Sequence, residues 1–300
     1  MVKAVERAHE IGATALQIFA DNPTAWRRRR RPPKELPAFR RRLEDLEIGP
    51  VAIHASYLVN LAGPDKDFFA KSVAVLADEL RVAPAFGARF VNVHVGSHRG
   101  TGLEAGTARV AEGLSLVLSE VEAGPEAALL VLENSAGGGF GIGSTVDELG
   151  GILDAAGARG VDSGRIGFCL DTAHAWGAGH QISEPRETDV LLEGFDRRVG
   201  LDKLVMVHLN DSKVALGSNA DRHQHIGAGE IGPCGLAHVI THPRLAHATY
   251  YLETPGMDDG YDAINIARAL ALAAGDPLPE LPAEALRVRG GRARTAPPLR

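Results

Sequence analysis

Residues that could bind metal recur at almost constant intervals along this chain, and that regularity constrains its fold more than any other feature. Seven short apolar runs each end near a histidine or an acid: Asp21, His54, His94, Glu133, Asp171, His208 and Glu253. From His54 onward the intervals are 40, 39, 38, 37 and 45 residues. One strand, loop, helix and return loop of an α/β barrel take about 40 residues, so ligands at the same point of each unit meet at one mouth of the barrel.

The apolar runs have the composition of parallel strands that are covered on both faces. They predict strands at 13–20, 50–55, 89–95, 128–134, 165–171, 203–211 and 248–254. Helical patterns lie at 2–11, 35–46, 66–86, 104–122, 145–157, 185–199, 234–241 and 261–274. This alternation predicts an α/β protein with a TIM (β/α)8-type barrel.

The number of strands falls one short, because a closed barrel of this type needs eight. The chain opens within a helix that should follow a strand, so we expect the first strand to be missing. The expected cause is truncation or a misassigned start, and the expected result is two unpaired sheet edges. We predict a barrel domain over 1–275 and a disordered Pro/Gly/Arg-rich tail over 276–300.

The overall composition limits the classes of protein to consider. The net charge of −6 argues weakly against a polyanion partner, although bound divalent cations would offset it. Two cysteines, Cys169 and Cys234, do not make a disulfide framework, which favours a cytoplasmic protein. No apolar stretch is long enough to span a membrane, and no signal peptide is visible.

The mixture of imidazoles and carboxylates suits zinc, which takes both kinds of ligand. Two further pairs, Asp171 with His174 and Asp221 with His223, have spacings that let one loop supply two ligands. A single histidine of this kind is more often a hydrogen-bonded structural residue. The complete set, five histidines and four carboxylates at strand ends or in the loops just beyond, favours two or three metal ions with a bridging carboxylate.

The predicted ligands lie in seven short motifs: HASYLVNLA (54–62), VHVGSH (93–98), LENSAGGG (132–139), GFCLDTAH (167–174), HLNDSK (208–213), DRH (221–223) and LETP (252–255). Together these motifs resemble the endonuclease IV family of apurinic/apyrimidinic endonucleases. The resemblance extends from residue 2 to about residue 275. The chain departs from the family pattern at Val95 and Ala173, neither of which is a ligand position.

The resemblance implies three Zn²⁺ ions, with Mn²⁺ as a partial substitute. His54, His94 and Glu133 would hold the first ion. Glu133 would bridge to a second, which is completed by Asp171, His208 and Glu253. The third would be held by His174, Asp221 and His223.

The implied substrate is double-stranded DNA that contains abasic sites, and the implied activity belongs to base excision repair. Metal coordination lowers the pKa of water towards about 7. Such a nucleophile would attack the phosphorus 5′ to the abasic site, with Glu133 as the catalytic residue that positions it. The products would be a 3′-hydroxyl and a 5′-deoxyribose phosphate, and a 3′-repair diesterase activity is a further expectation. We expect a monomer.

DNA contacts are predicted at Tyr57, Leu58, Lys213 and Arg222. Tyr57 and Leu58 follow a ligand strand and would wedge into the duplex, although Leu58 could simply pack in its loop. The arginines at 27–31 could contact phosphate, but a charge run is more often a solvated surface. Two other functions stay open: a metal-dependent sugar isomerase or epimerase with the same barrel, and an inactive homologue that binds abasic DNA.

Overall fold

The computed structural model describes residues 1–29 and 31–287. This part of the chain contains nine strands and nine α-helices, which alternate except where α7 follows α6 and where β7 and β8 follow β6. The strands are β1 (Leu16–Ile18), β2 (Val51–His54), β3 (Ala88–His94), β4 (Leu129–Glu133), β5 (Ile166–Asp171), β6 (Leu204–His208), β7 (Asp211–Ser212), β8 (His223–Gln224) and β9 (Thr249–Tyr251). The helices are α1 (Val2–Glu10), α2 (Leu36–Asp45), α3 (Lys66–Phe86), α4 (Leu103–Ser119), α5 (Val146–Gly157), α6 (Thr172–Ala178), α7 (Pro185–Arg198), α8 (Gly232–Thr241) and α9 (Asp262–Ala274).

Seven strands form one parallel sheet in the order β1-β2-β3-β4-β5-β6-β9. The predicted α/β barrel is confirmed, and all seven predicted strands are present: six are shorter than predicted, and β3 has the predicted length but begins one residue earlier. Within the described residues, β1 and β9 are the two ends of this nearly closed sheet. Side chains cross between the two ends: the Gln17 amide nitrogen on β1 donates to Oε1 of Glu253, two residues after β9, at 2.7 Å.

The interior of the barrel is filled by one layer of apolar side chains. Each of six strands contributes one buried residue, and these are Ala52, Phe90, Val131, Cys169, Met206 and Tyr251. Ala15, just before β1, packs against the same layer. A second and larger apolar core lies between the outside of the sheet and the helices. Because strand side chains alternate between faces, the residue two positions after each inner residue also points into the barrel.

A short helix and a small pair of strands were not predicted from the sequence. The short helix α6 begins directly at the end of β5, where the Asp171 carboxylate accepts a hydrogen bond from the His174 amide at 2.8 Å. The strands β7 and β8 form a small antiparallel pair outside the barrel sheet. Both elements lie in regions that carry the predicted ligands, and they fix loops whose conformation the hydrophobic pattern does not determine.

Part of the segment predicted as a disordered tail is packed against the barrel. Ala285 is fully buried, and its carbonyl oxygen lies 2.9 Å from Nε2 of His225. Arg268 on α9 also donates to the Pro279 carbonyl oxygen. Residues 276–287 therefore differ from the prediction, because buried polar groups of the barrel hydrogen-bond to their backbone. Residues 288–300 of the predicted tail lie outside the described residues.

In the described part of the chain, no helix combines the length and the apolar character that a membrane crossing requires.

Candidate metal centre

The strand geometry brings six of the predicted ligands into one layer at the carboxyl ends of the strands. Five of them stand two positions after an inner core residue, for example Glu133 after Val131 and Asp171 after Cys169. His94 stands four positions after Phe90 on the same face. The pairing of neighbouring strands sets His94 beside Glu133 and Asp171 beside His208. The regular spacing in the sequence thus reflects a shared position on the strands.

Two groups of ligand atoms share Glu133. In the first, Nε2 of His54 lies 3.6 Å and Nε2 of His94 lies 3.9 Å from Oε2 of Glu133. In the second, Nδ1 of His208 lies 3.4 Å from Oε1 of Glu133 and 3.4 Å from Oε2 of Glu253. Asp171 completes the second group, with Oδ2 at 3.8 Å from the same nitrogen. The two oxygens of Glu133 therefore face two different groups, as a bridging carboxylate requires.

A third group forms around His174 on α6 and His223 at the start of β8. Asp171 joins these two histidines, with Oδ2 at 3.6 Å from Nε2 of His223. Asp221, predicted as the carboxylate of this group, lies 3.0 Å from His223 and 3.4 Å from His174. The structure thus brings all nine predicted ligands together, and Asp171 faces the second and the third group.

Hydrogen bonds orient the imidazole rings towards the centre of the cluster. Nδ1 of His54, of His174 and of His223 each lies 2.8–3.0 Å from a backbone carbonyl oxygen. A carbonyl oxygen accepts, so Nδ1 carries the proton and Nε2 presents its lone pair to the cluster. His208 has the opposite orientation, with Nε2 at 3.0 Å from the side-chain oxygen of Gln17 and Nδ1 inward.

Three inward atoms are buried without a hydrogen-bond partner in the described residues: Oε1 of Glu133, Nδ1 of His208 and Nε2 of His223. Buried polar atoms are normally paired, because an unpaired one keeps its full desolvation cost. Here the unpaired atoms are lone-pair donors beside other ligand atoms: Nδ1 of His208 lies 3.4 Å from Oε1 of Glu133, and Nε2 of His223 lies 3.6 Å from Oδ2 of Asp171. Nitrogen and carboxylate oxygen are the donors that zinc and similar divalent ions prefer. The residues therefore fit a cluster of divalent cations.

Without metal, the same cluster balances its charge by protonation. Burial alone would raise the pKa of Glu133, but His94, His208 and His174 hold it well below its ordinary value. Burial opposes charge on His223 as well, yet the nearby carboxylates of Asp171 and Asp221 raise its pKa to about 9. His174 also has a pKa well above the ordinary value, because Asp171, Asp221 and Glu133 surround it. Protons on these rings thus occupy the role that cations would take.

Three side-chain amides hold the carboxylates of the cluster, and the sequence analysis did not identify them. Asn92 donates to Oε2 of Glu133 at 2.6 Å, Asn210 to Oδ2 of Asp171 at 2.7 Å, and Gln17 to Oε1 of Glu253 at 2.7 Å. Such partners orient ligands and tune their basicity. Asn92 could have been found, because it lies two residues before His94 and therefore faces the barrel interior in an otherwise apolar run.

The predicted DNA-contact residues lie around this mouth. Tyr57 is 54% exposed and its ring centroid lies 5.8 Å from that of His54. Phe19, which was not predicted, is 38% exposed and forms an edge contact with Tyr57 at 5.2 Å. Leu58 is half-buried. An exposed aromatic pair thus stands directly beside the first ligand group.

Lys213 directly follows β7 and Arg222 directly precedes β8, so the two face each other at one end of the strand pair. Their backbones are joined, with the Lys213 amide donating to the Arg222 carbonyl oxygen at 2.8 Å. Arg222 is exposed and Lys213 is half-buried. Both residues belong to the segment that joins β7 to β8, and β8 begins with His223. They therefore lie close to the third ligand group.

The arginine run has mixed roles. Arg28 forms a buried ion pair with Glu79 at 2.5 Å, and Arg29 pairs with Asp21 at 3.1 Å. Arg27 and Arg31 are exposed, while Arg30 lies outside the described residues. Asp21, the acid that closes the first apolar run, is thus a partner of Arg29. Arg28 thus differs from the rest of the run, because its guanidinium is half-buried and paired with Glu79.

A further cluster of ligand-type atoms lies on the outer helices, outside the barrel sheet. Asp189 on α7 meets His238 and His242, whose Nε2 atoms are 2.7 and 3.2 Å from its Oδ1. Nδ1 of His242 accepts a hydrogen bond from the Arg244 amide at 3.2 Å, so the proton of this ring is on Nε2. Metal binding through Nε2 of His242 would move the proton to Nδ1 and break the bond from Arg244, so this cluster is satisfied by its own hydrogen bonds.

The fold and the ligand layer define a class, the barrels that carry a polar cluster at the carboxyl ends of their strands. The sequence profile of the xylose isomerase-like TIM barrel family matches residues 5–276. A structure named D-tagatose 3-epimerase-like protein aligns with a TM-score of 0.64 over 92% of this chain and 95% of that one, at 16% identity, which shows the fold alone.

More similar proteins identify the family. The probable endonuclease 4 of Halothermothrix orenii is 40% identical over 271 residues, covering 89% of this chain and 95% of that protein. The probable endonuclease 4 of Methanoculleus marisnigri is 40% identical over 90% of this chain and 94% of its own length. The structure of endonuclease IV from Thermus thermophilus aligns with a TM-score of 0.77 at 38% identity, covering 91% of this chain and 94% of that one. The chain belongs to the endonuclease IV family.

Proposed function

We propose that this protein is a zinc-dependent apurinic/apyrimidinic endonuclease of DNA base excision repair. It would hydrolyse the phosphodiester bond 5′ to an abasic site. The observation that carries the proposal is the set of three ligand groups that share Glu133 and Asp171, with unpaired lone pairs at its centre. The family and its named relatives support a nuclease, while zinc and abasic DNA are the proposed specifics.

The residues suit the three ions of the proposal. His54 and His94 would hold one with Glu133, and His208 and Glu253 would hold another with Glu133 and Asp171. His174, His223 and Asp221 would hold the third. Bound divalent ions act as Lewis acids on phosphoryl oxygens and lower the pKa of water towards about 7.

Glu133 is the residue with the most defined role in hydrolysis. Its low pKa keeps it ionised at neutral pH, and Asn92 fixes its orientation through Oε2. An ionised carboxylate can accept a hydrogen bond from the attacking water and orient it. Attack on phosphorus breaks the bond to the 3′ oxygen, which leaves a 3′-hydroxyl and a 5′-deoxyribose phosphate.

The rim of the site has the groups needed to recognise damaged DNA. The side chains of His94 and Asp221 are 41% and 53% exposed, so the cluster is open to a substrate on that side. Tyr57 and Phe19 offer exposed aromatic surface that could stack in the gap left by a missing base. Extruding an abasic nucleotide is cheap because no base pairing has to be broken. Lys213 and Arg222 supply positive charge for the phosphates.

The test is incision of a duplex that carries a single tetrahydrofuran abasic analogue, with and without zinc. We expect one cut directly 5′ to the analogue, and no cut in the matched undamaged duplex. A folded, zinc-loaded protein that leaves the damaged duplex intact would contradict the proposal. Binding of the damaged duplex without turnover would instead indicate an inactive DNA-binding homologue.

Metal content separates the proposal from a sugar isomerase or epimerase. Such an enzyme would need one or two metal ions and would have no use for Asp221 and His223. About three zinc ions per chain supports the nuclease. About one ion per chain, together with no affinity for abasic DNA, would favour the isomerase class.

A further inference from the structure

Gln17 occupies the ligand layer on the one strand of the barrel sheet that supplies no ligand. It stands two residues after Ala15, which packs against the inner apolar layer. His208 and Glu253 stand in the same relation to Met206 and Tyr251. The geometry of β1 thus places a side-chain amide where the other strands place imidazole or carboxylate.

The Gln17 amide contacts two predicted ligands from the opposite end of the sheet. Its nitrogen lies 2.7 Å from Oε1 of Glu253, and its oxygen lies 3.0 Å from Nε2 of His208. A carboxylate oxygen only accepts, so the amide nitrogen must face Glu253 and the amide oxygen must face His208. The two contacts therefore fix each other, and reversing the amide would break both.

These contacts determine which atoms of the two ligands are free. Nε2–H of His208 donates to Gln17, which leaves the lone pair on Nδ1. This Nδ1 is one of the buried atoms without a partner in the described residues and lies 3.4 Å from Oε2 of Glu253, the oxygen that Gln17 does not contact. In His54, His174 and His223 a backbone carbonyl oxygen accepts the ring proton and so orients the imidazole. In His208 a side chain, that of Gln17, accepts it instead.

We propose that Gln17 is a positioning residue, which presents Nδ1 of His208 and Oε2 of Glu253 to the metal ion of the second ligand group. The proposal rests on the proposed metal centre, and concerns the retention of one ion rather than the chemistry. Hydrogen-bond partners of metal ligands typically contribute about 10–100-fold to metal affinity. Gln17 should therefore affect one zinc ion and leave the others unchanged.

The first test compares Gln17→Met with wild type by titration of the zinc-loaded proteins with a chromogenic chelator. Methionine has a similar length but neither bonds His208 nor donates to Glu253. We expect one zinc ion of the variant to be held about 10–100-fold more weakly. Gln181→Met is the matched control, because Gln181 is an exposed glutamine outside the seven strands of the barrel sheet. Equal retention of all zinc ions in Gln17→Met would overturn the proposal.

The second test observes the His208 ring directly, by ¹H–¹⁵N spectra of zinc-loaded protein labelled at histidine nitrogens. We expect a hydrogen-bonded Nε2–H signal that His208→Gln removes. Gln17→Glu is isosteric and keeps an oxygen for this N–H, so the signal should persist and move downfield, since a bond to a carboxylate is stronger. In Gln17→Met the signal should move upfield or exchange away. An unchanged signal in both variants would overturn the role of Gln17.

These readouts separate the proposal from the proposed function. Neither uses DNA, so zinc retention that depends on Gln17 stands even if the wild-type protein does not cut abasic DNA. Wild-type protein that holds no zinc would overturn both.

Discussion

The barrel mouth and the outer helices each bring histidines and carboxylates together, but the two clusters differ in how their polar atoms are paired. At the mouth, Oε1 of Glu133 and Nδ1 of His208 are buried and lack hydrogen-bond partners in the described residues. Between α7 and α8, Nε2 of His238 and of His242 point at the same oxygen of Asp189, whose side chain is 50% exposed. Closeness of ligand-type residues is thus common to both regions, whereas unpaired lone pairs occur at the mouth.

The difference has an energetic basis. An unpaired buried atom costs about 1–3 kcal/mol, more if it is charged, so a protein that keeps several of them together needs a further partner to offset that cost. A hydrogen-bonded and solvated cluster needs none. The comparison therefore predicts that the cluster at the barrel mouth binds zinc and that the cluster on the outer helices does not. Substitutions in each region can test this prediction.

The largest expected effect comes from Glu133→Gln, which removes the carboxylate shared by two ligand groups. Metal ions supply several kcal/mol of transition-state stabilisation, and each 1.36 kcal/mol is tenfold in rate. We expect incision of abasic DNA to fall by about 1,000-fold or more, measured under single-turnover conditions. Asp189→Asn in the other cluster is the matched control and should cut at the wild-type rate. A Glu133→Gln variant within tenfold of wild type would show that the mouth cluster is not the catalytic centre.

A second prediction concerns the pH dependence of the metal-free protein. The pKa of His223 is raised to about 9 in the folded chain, against 6.5 for an unperturbed histidine. A histidine whose pKa is higher in the folded than in the unfolded chain stabilises the folded state by binding a proton. This stabilisation is complete at pH values below the pKa of the unfolded chain, and it is lost as the pH rises through the pKa of the folded chain. Thermal unfolding of the metal-free protein should therefore show a Tm that decreases between pH 6.5 and about 9.

Zinc should reverse this trend, because it replaces the proton on His223. Zinc affinity should increase from about pH 6 to about pH 9, and calorimetry in buffers of different ionisation enthalpy should detect proton release on binding. A Tm of the metal-free protein that does not change over this range would contradict the raised pKa of His223. Zinc binding without proton release would contradict it independently.

A third prediction uses a buried carboxylate that the protein pairs by itself. Glu79 on α3 accepts from the Arg28 guanidinium at 2.5 Å and from the Ser56 amide at 3.2 Å. Its pKa is nevertheless raised to about 7, because burial outweighs these contacts. Arg28→Met should destabilise the protein by about 3 kcal/mol, since it leaves a buried acid without its cation. Denaturant unfolding measures the change.

Arg27→Met is the control for this pair, because Arg27 is exposed in the same loop. Substitutions at such positions usually change stability by less than about 0.5 kcal/mol. If the two variants unfold alike, the Arg28–Glu79 pair contributes little. If Arg28→Met keeps its stability and instead loses affinity for DNA, Arg28 contacts phosphate as the arginine run first suggested.

Much of the barrel could be predicted from the sequence, because a strand that is covered on both faces has a simple apolar signature. The spacing of His54, His94 and Glu133 also indicated their common position, since each βα unit returns the chain to the same end of the sheet. The sequence did not predict the helix α6, because this helix is short and begins directly after the ligand Asp171. No periodic pattern distinguishes such a helix from a loop.

The partners of the ligands were harder to predict. Gln17 reads as an ordinary residue of a short strand, and its role depends on contacts with His208 and Glu253, which are 191 and 236 positions away in the chain. Long-range hydrogen bonds of this kind follow from barrel closure rather than from local sequence. The pair of Arg28 and Glu79 was hidden for the same reason, and the charge run around Arg28 favoured a surface role instead.

The smallest expected effect tests the cluster on the outer helices. His238→Asn removes one bond to Asp189, and exposed ion pairs contribute little and are screened by salt. We expect a slight decrease of Tm at low ionic strength that disappears in high salt, with the zinc content and the rate of incision unchanged. Loss of one zinc ion per chain in His238→Asn would break the comparison, because a hydrogen-bonded and exposed cluster would then bind metal as well. Pairing of polar atoms could in that case no longer separate metal sites from ordinary ion pairs, and the unpaired atoms at the mouth would need another explanation.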